Sequence, residues 1–94
     1  MNIINGGLQV IASYTISVEG VAEVLMPFAA QVLSVRADEG HVAVSVLEDA
    51  SKRTPKITRR FKVARDGEAP PASARQFWGT AVVGGLAVHL FEME

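Results

Sequence analysis

The sequence predicts an all-β domain, a small, mostly antiparallel β-sandwich or barrel of about seven short strands. Three observations point there. Apolar residues recur with a period of two in several segments, the signature of half-buried strands. Turn-forming groups punctuate those segments at short intervals: Glu19-Gly20, Asp38-Glu39-Gly40, Asp66-Gly67 and Gly84-Gly85. No segment of useful length has a helical period. The best helical candidate, Phe28 to Val35, is short and rich in β-branched residues.

Residues 1–8 read as a loose lead-in, broken by Asn5-Gly6-Gly7. Gln9 to Val18 alternates, with Val10, Ala12, Tyr14, Ile16 and Val18 on one face and Ser13, Thr15 and Ser17 on the other. Val21 to Met26 is a second strand, ended by Pro27, which cannot donate to a ladder. Gln31 to Arg36 and His41 to Glu48 form a hairpin across Asp38–Gly40, and Val42, Val44 and Val46 share one face. Asp49 to Lys56 is a polar loop holding Pro55. Ile57 to Ala64 is the fifth strand; Ile57, Phe61 and Val63 face the core, while Arg59 interrupts that face. Glu68 to Ala74 contains Pro70-Pro71, which holds it extended as a surface loop.

The stretch from Phe77 to Glu92 places two β-prone runs around Gly84-Gly85, a strong hairpin signal because tight turns need positive φ. In the incoming run Phe77, Ala81 and Val83 share a face opposite Gln76, Trp78, Thr80 and Val82. In the outgoing run Leu86, Val88 and Leu90 oppose Ala87, His89 and Phe91. Both faces are largely apolar, so the hairpin is expected to lie mid-core or to seal an oligomer interface. Phe77 and Trp78 are adjacent and cannot both enter one core layer, so one of them belongs outside it.

At 94 residues there is room for one domain, read as 9–94 behind the lead-in. The chain has no cysteine, which removes disulfide staples and thiolate metal sites. A composition 49% hydrophobic suits a folded core, and so short a chain gains buried area by self-association. A net charge of −1 gives no global attraction to nucleic acid or membrane. The start carries no basic targeting region, and apolar runs fall short of the ~20 residues of a membrane helix. A soluble cytoplasmic protein is the expectation.

Charge is nevertheless lopsided. Lys52, Arg53, Lys56, Arg59, Arg60, Lys62 and Arg65 occupy fourteen residues without one acid. Such a run can pair with phosphates or dock an acidic protein surface. Its plainer reading is a solvated loop and an edge strand kept soluble by charge. Nucleic-acid binding is disfavoured, since no aromatics are interleaved. Phe77, Trp78, His89 and Phe91 are candidates for an interface or for stacking on a ligand. His89 has no nucleophile at a recognisable spacing, and the two histidines make a poor metal set, so no catalytic residue, metal or cofactor is assigned. Glu48-Asp49 and Asp38-Glu39 read as neighbouring acids in turns, too weak a signal for paired catalytic carboxylates.

Four segments, AEVLMPFAAQVLSV (Ala22 to Val35), VSVLED (Val44 to Asp49), FWGT (Phe77 to Thr80) and GGLAVHLFE (Gly84 to Glu92), resemble a family of small tailed-phage and prophage proteins known as a domain of unknown function. The match places a proline turn at Pro27 with Ala29-Ala30, an "ILSV" strand at Val32 to Val35, a "GT" pair at Gly79-Thr80, and a closing hairpin at Leu86 to Glu92. Ala29 stands where that turn usually has glycine. Ala64-Arg65-Asp66-Gly67 replaces a Gly-Thr-Gly-His segment. The resemblance implies phage origin and residence in the host bacterial cytoplasm, and no reaction.

Together these features predict a non-catalytic phage-type accessory protein that binds and neutralises a host defence component. It would either inhibit a host protein or sequester a small phosphorylated, nucleotide-like signal between subunits. The alternative is a structural or assembly component of the virion, oligomeric through the C-terminal hairpin.

Overall fold

A computed structural model describes residues 8–94. Seven strands follow in order: β1 Gln9–Ile16, β2 Val21–Pro27, β3 Gln31–Asp38, β4 His41–Asp49, β5 Lys56–Arg65, β6 Ala74–Val83 and β7 Leu86–Met93. They form two packed antiparallel sheets, one ordered β1-β4-β3 and the other β2-β5-β7-β6. The expected sandwich is therefore present, and the barrel is not, because each sheet keeps two edges. The lead-in expected over residues 1–8 lies, apart from Leu8, outside the described residues.

Alternation explains the core. Val42, Val44 and Val46 of β4 are fully buried with Ile16 of β1. Met26, Phe61, Val63, Ala81, Val88 and Leu90 meet them from the four-stranded sheet. Fully burying one such side chain contributes about 1.5–3 kcal/mol. Both expected hairpins form, with Asp38 opposite His41 and Val83 opposite Leu86. Three expectations of the pattern fail at strand ends. Ile57 and Val10 share the inner face but are 40% and 45% exposed, each standing second in its strand. Glu48 and Asp49 close β4 rather than occupying a turn.

Where simple alternation fails inside a strand, a bulge is the cause. In β3 the pairing steps from Val32 to Ser34, leaving Leu33 as the extra residue, so Val32 and Val35 both pack inward although three positions apart. In β6 it steps from Ala74 to Gln76 and from Phe77 to Gly79. The second step corrects the sequence-based faces. Trp78 turns inward to join Ala81 and Val83, and Phe77 turns outward, 49% exposed. One member of the pair does stay outside the core, as expected.

Gly79 is needed for the sheets to approach. Its φ is 158°, and an added Cβ would lie 3.2 Å from both Cβ and Cγ2 of Val35 on the opposite sheet. The turn at Pro27 carries the opposite problem. The Ala30 amide donates to the Pro27 carbonyl over 3.1 Å, and Ala29 between them has φ 67°, a conformation that costs an L-residue about 1–2 kcal/mol. Urea unfolding should separate the two sites. We expect Ala29→Gly to raise stability by about 0.5–1 kcal/mol after the entropy of glycine is counted. Gly79→Ala should lower it by about 1–3 kcal/mol. A neutral Gly79→Ala would mean the sheets are not held at this spacing.

Candidate functional site

The basic run does not form one surface. Strand alternation sends its members to different places. Lys52 and Arg53 sit exposed on the loop between β4 and β5. The Asp49 carboxylate shapes that loop by accepting the Ser51 amide at 2.8 Å and the Thr54 hydroxyl at 2.6 Å, which also hold its pKa below the ordinary value. Lys56 is exposed at the start of β5, opposite Pro27. Arg60 and Lys62 point to the outer face. Arg65 is bound up with acids, 2.7 Å from Glu19 and 4.0 Å from Glu68.

Arg59 points inward. Its Nε and Nη2 each donate to one oxygen of Glu92 over 2.7 Å, and Nη1 donates to the Ala30 carbonyl at 2.7 Å. The Trp78 indole N–H donates to the same carboxylate at 2.9 Å. Both charged side chains are nearly enclosed, at 12% and 11% exposure. Burial pushes the pKa of Glu92 up, but the hydrogen bonds from Arg59 and Trp78, with the charges of Arg59 and Arg75, outweigh it and leave it below the usual glutamate value. Arg59 is thus engaged in holding the fold, and its guanidinium lies 5.8 Å from the Phe61 ring centre.

Above this network, where the start of β5, the first half of β6 and the end of β7 converge, lies a cavity of about 500 Å³. Arg59, Arg60, Arg75, Gln76, Trp78 and Glu92 line it, together with Ala29, Met93 and the acidic Glu94. Arg60 is only loosely held there, 3.8 Å from Glu23 and 3.4 Å from the Glu94 carbonyl. Arg75 makes no side-chain hydrogen bond or ion pair with the described residues. The cavity therefore pairs a fixed indole with two guanidiniums that have donors to spare. Of the sequence candidates it gathers Arg59, Arg60 and Trp78, and leaves the other five cations of the run outside.

Sequence reasoning missed Arg75 and Glu92. Arg75 stands alone, the only lysine or arginine after Arg65. Glu92 had a legible signal: it occupies the inward register of Leu86, Val88 and Leu90, as Arg59 does on β5. Two opposite charges on inward positions of paired strands imply each other.

The remaining candidates form a second group on the outer face. The Phe77 ring centre is 5.4 Å from that of Phe91 and 6.5 Å from that of His89. His89 Nε2 is 2.7 Å from Asp66 and its Nδ1 is 2.9 Å from the Thr80 hydroxyl. With a neutral ring, Nε2–H donates to the carboxylate and Nδ1 accepts from threonine. The order hydroxyl, imidazole, carboxylate is that of a hydrolytic triad, but the trio lies outside the cavity on the open sheet face. Its plain effect is to tie the Asp66 turn to β6 and β7.

The family model described as "Domain of unknown function (DUF7352)" matches residues 8–94, and the chain belongs to that family. No curated protein and no solved structure matches the chain.

The Glu92 network predicts an acid-dependent loss of stability. The depressed pKa contributes stability present above about 4.5, the ordinary value, and lost as pH falls through the lower folded value. Unfolding followed from neutral to about pH 3 should be steeper in the native protein than in Glu92→Gln, and parallel curves would remove the assignment. Arg59→Met, which strands a nearly enclosed carboxylate, should cost about 2–4 kcal/mol.

Proposed function

We propose that this domain is a non-catalytic binding protein that sequesters a small phosphorylated, nucleotide-like signal in the cavity at the end of the sandwich. In the phage setting suggested by its sequence segments, that act would neutralise a host defence component in the bacterial cytoplasm. The observation that carries the reading is the convergence of Trp78, Arg60 and Arg75 on one cavity of ligand size. Small-molecule sites typically enclose about 300–1,000 Å³ and fix their ligand with a few well-placed polar groups.

The division of labour follows from the contacts. The indole lines the cavity with its N–H held on Glu92, which offers a base an immobile aromatic group to pack against. Arg60 and Arg75 offer guanidinium forks that match phosphate oxygens. Glu92 is neutralised by Arg59 and so adds little repulsion toward an anion.

Trp78 is the only tryptophan, so its fluorescence reports on the cavity alone. Titration with nucleoside mono- and diphosphates and with cyclic nucleotides should give a saturable change for at least one class. Arg75→Glu and Arg60→Glu should each weaken it about 10–100-fold, the worth of one charge-assisted hydrogen bond set. Lys62→Glu, outside the cavity, should leave it unchanged. Equilibrium dialysis showing no retention of any of these compounds would overturn the reading.

A further inference from the structure

Four strands lie at sheet edges, and three of them are guarded. An edge displays unpaired amides and carbonyls to any other chain, and proteins blunt it with charge, proline or bulges. β2 carries Glu23 and ends at Pro27. β3 carries the Leu33 bulge, Arg36 and Asp38. β6 has two bulges, Arg75 and Gly79. β1, QVIASYTI, has none of these. It is eight residues long, uncharged, free of proline and glycine, and its register to β4 runs unbroken from Gln9–Asp49 to Ile16–Val42. Among the described residues no strand pairs with its other side. The apolar side chains near it are open as well: Ile11 is 69% exposed, and Leu8 just before it 76%.

We propose that β1 pairs antiparallel with β1 of a second copy of this chain, giving a continuous six-stranded sheet β3-β4-β1-β1-β4-β3. The occupant is a second copy for two reasons. An antiparallel strand pair on a two-fold axis is self-complementary, so one strand supplies both halves. The strand itself also carries no charge that would meet its like across the axis.

The register is constrained. Residues opposite each other must share a face, so the axis passes through a residue rather than between two. Centring it on Ser13 sets Ile11 against Thr15 of the other copy on the outer face. On the inner face it sets Val10 against Ile16 and Ala12 against Tyr14. The two outer Ile11–Thr15 pairs are β-branched, the kind that packs well across strands, and flank a Ser13–Ser13 pair on the axis whose hydroxyls each accept from Arg36 over 3.3 Å. Val10, half-open in the single chain, is covered on that side.

The test uses Ile11 and Thr15, whose side chains leave the core untouched. Sedimentation equilibrium on the full chain should show a dimer at micromolar concentration. Ile11→Lys with Thr15→Lys brings two like-charged pairs face to face and should raise the dimer dissociation constant at least tenfold, with the strand circular-dichroism signal retained. Ile11→Lys with Thr15→Glu sets opposite charges across the axis and should restore the dimer. A native protein that sediments as a monomer overturns the proposal. So does a dimer that survives the double-lysine change, or one that the Lys/Glu combination fails to rescue while remaining folded.

Discussion

The carboxylate of Glu92 is the contact on which the end of the sandwich depends. It accepts two bonds from Arg59 and one from Trp78, and Arg59 in turn holds the Ala30 carbonyl. Four segments meet through it: the β2–β3 turn, β5, β6 and β7. A single such ion carries a heavy desolvation cost when enclosed, and the bidentate partner, the indole and the nearby charge of Arg75 offset it. The same four segments form the walls of the cavity, so the network that closes the core also fixes the indole that faces it.

The bulges are the second organising device. Without the extra residue at Trp78, the indole would face outward beside His89 and Phe91, and Phe77 would fill the space under the cavity. Inserting one residue exchanges the two aromatics between faces. Gly79 follows directly, and its missing side chain lets β6 approach Val35. The bulge and the glycine therefore act as one unit, which accounts for an FWGT segment in place of a simple alternating run.

Most of the fold was legible in the sequence because valines at period two in β4 and the Gly-Gly and Asp-Glu-Gly turns leave little freedom. What was not legible lies where the period breaks. Alternation alone grouped Phe77 with Ala81 and Val83 and set Trp78 opposite them, since bulges have no residue signature strong enough to locate them. The basic run looked like one patch because proximity in sequence was counted without the pleat, which sends Arg59 and Arg60 to opposite faces. Arg75 was passed over because it stands alone in sequence and gains company only in three dimensions. Ala29 was noticed as a departure from glycine, and its positive φ supplies the physical reason glycine suits that place.

The two kinds of arginine at the cavity differ in how water reaches them. Arg59 is nearly enclosed, whereas Arg60 stands about half open at 46% exposure. Added salt screens charges through the surrounding electrolyte, over about 8 Å at physiological strength, and reaches the open group far more than the enclosed one. Capture of an anion would then fade in brine while the folded body beneath it stood intact, so that ionic strength alone could empty the chamber without loosening its walls.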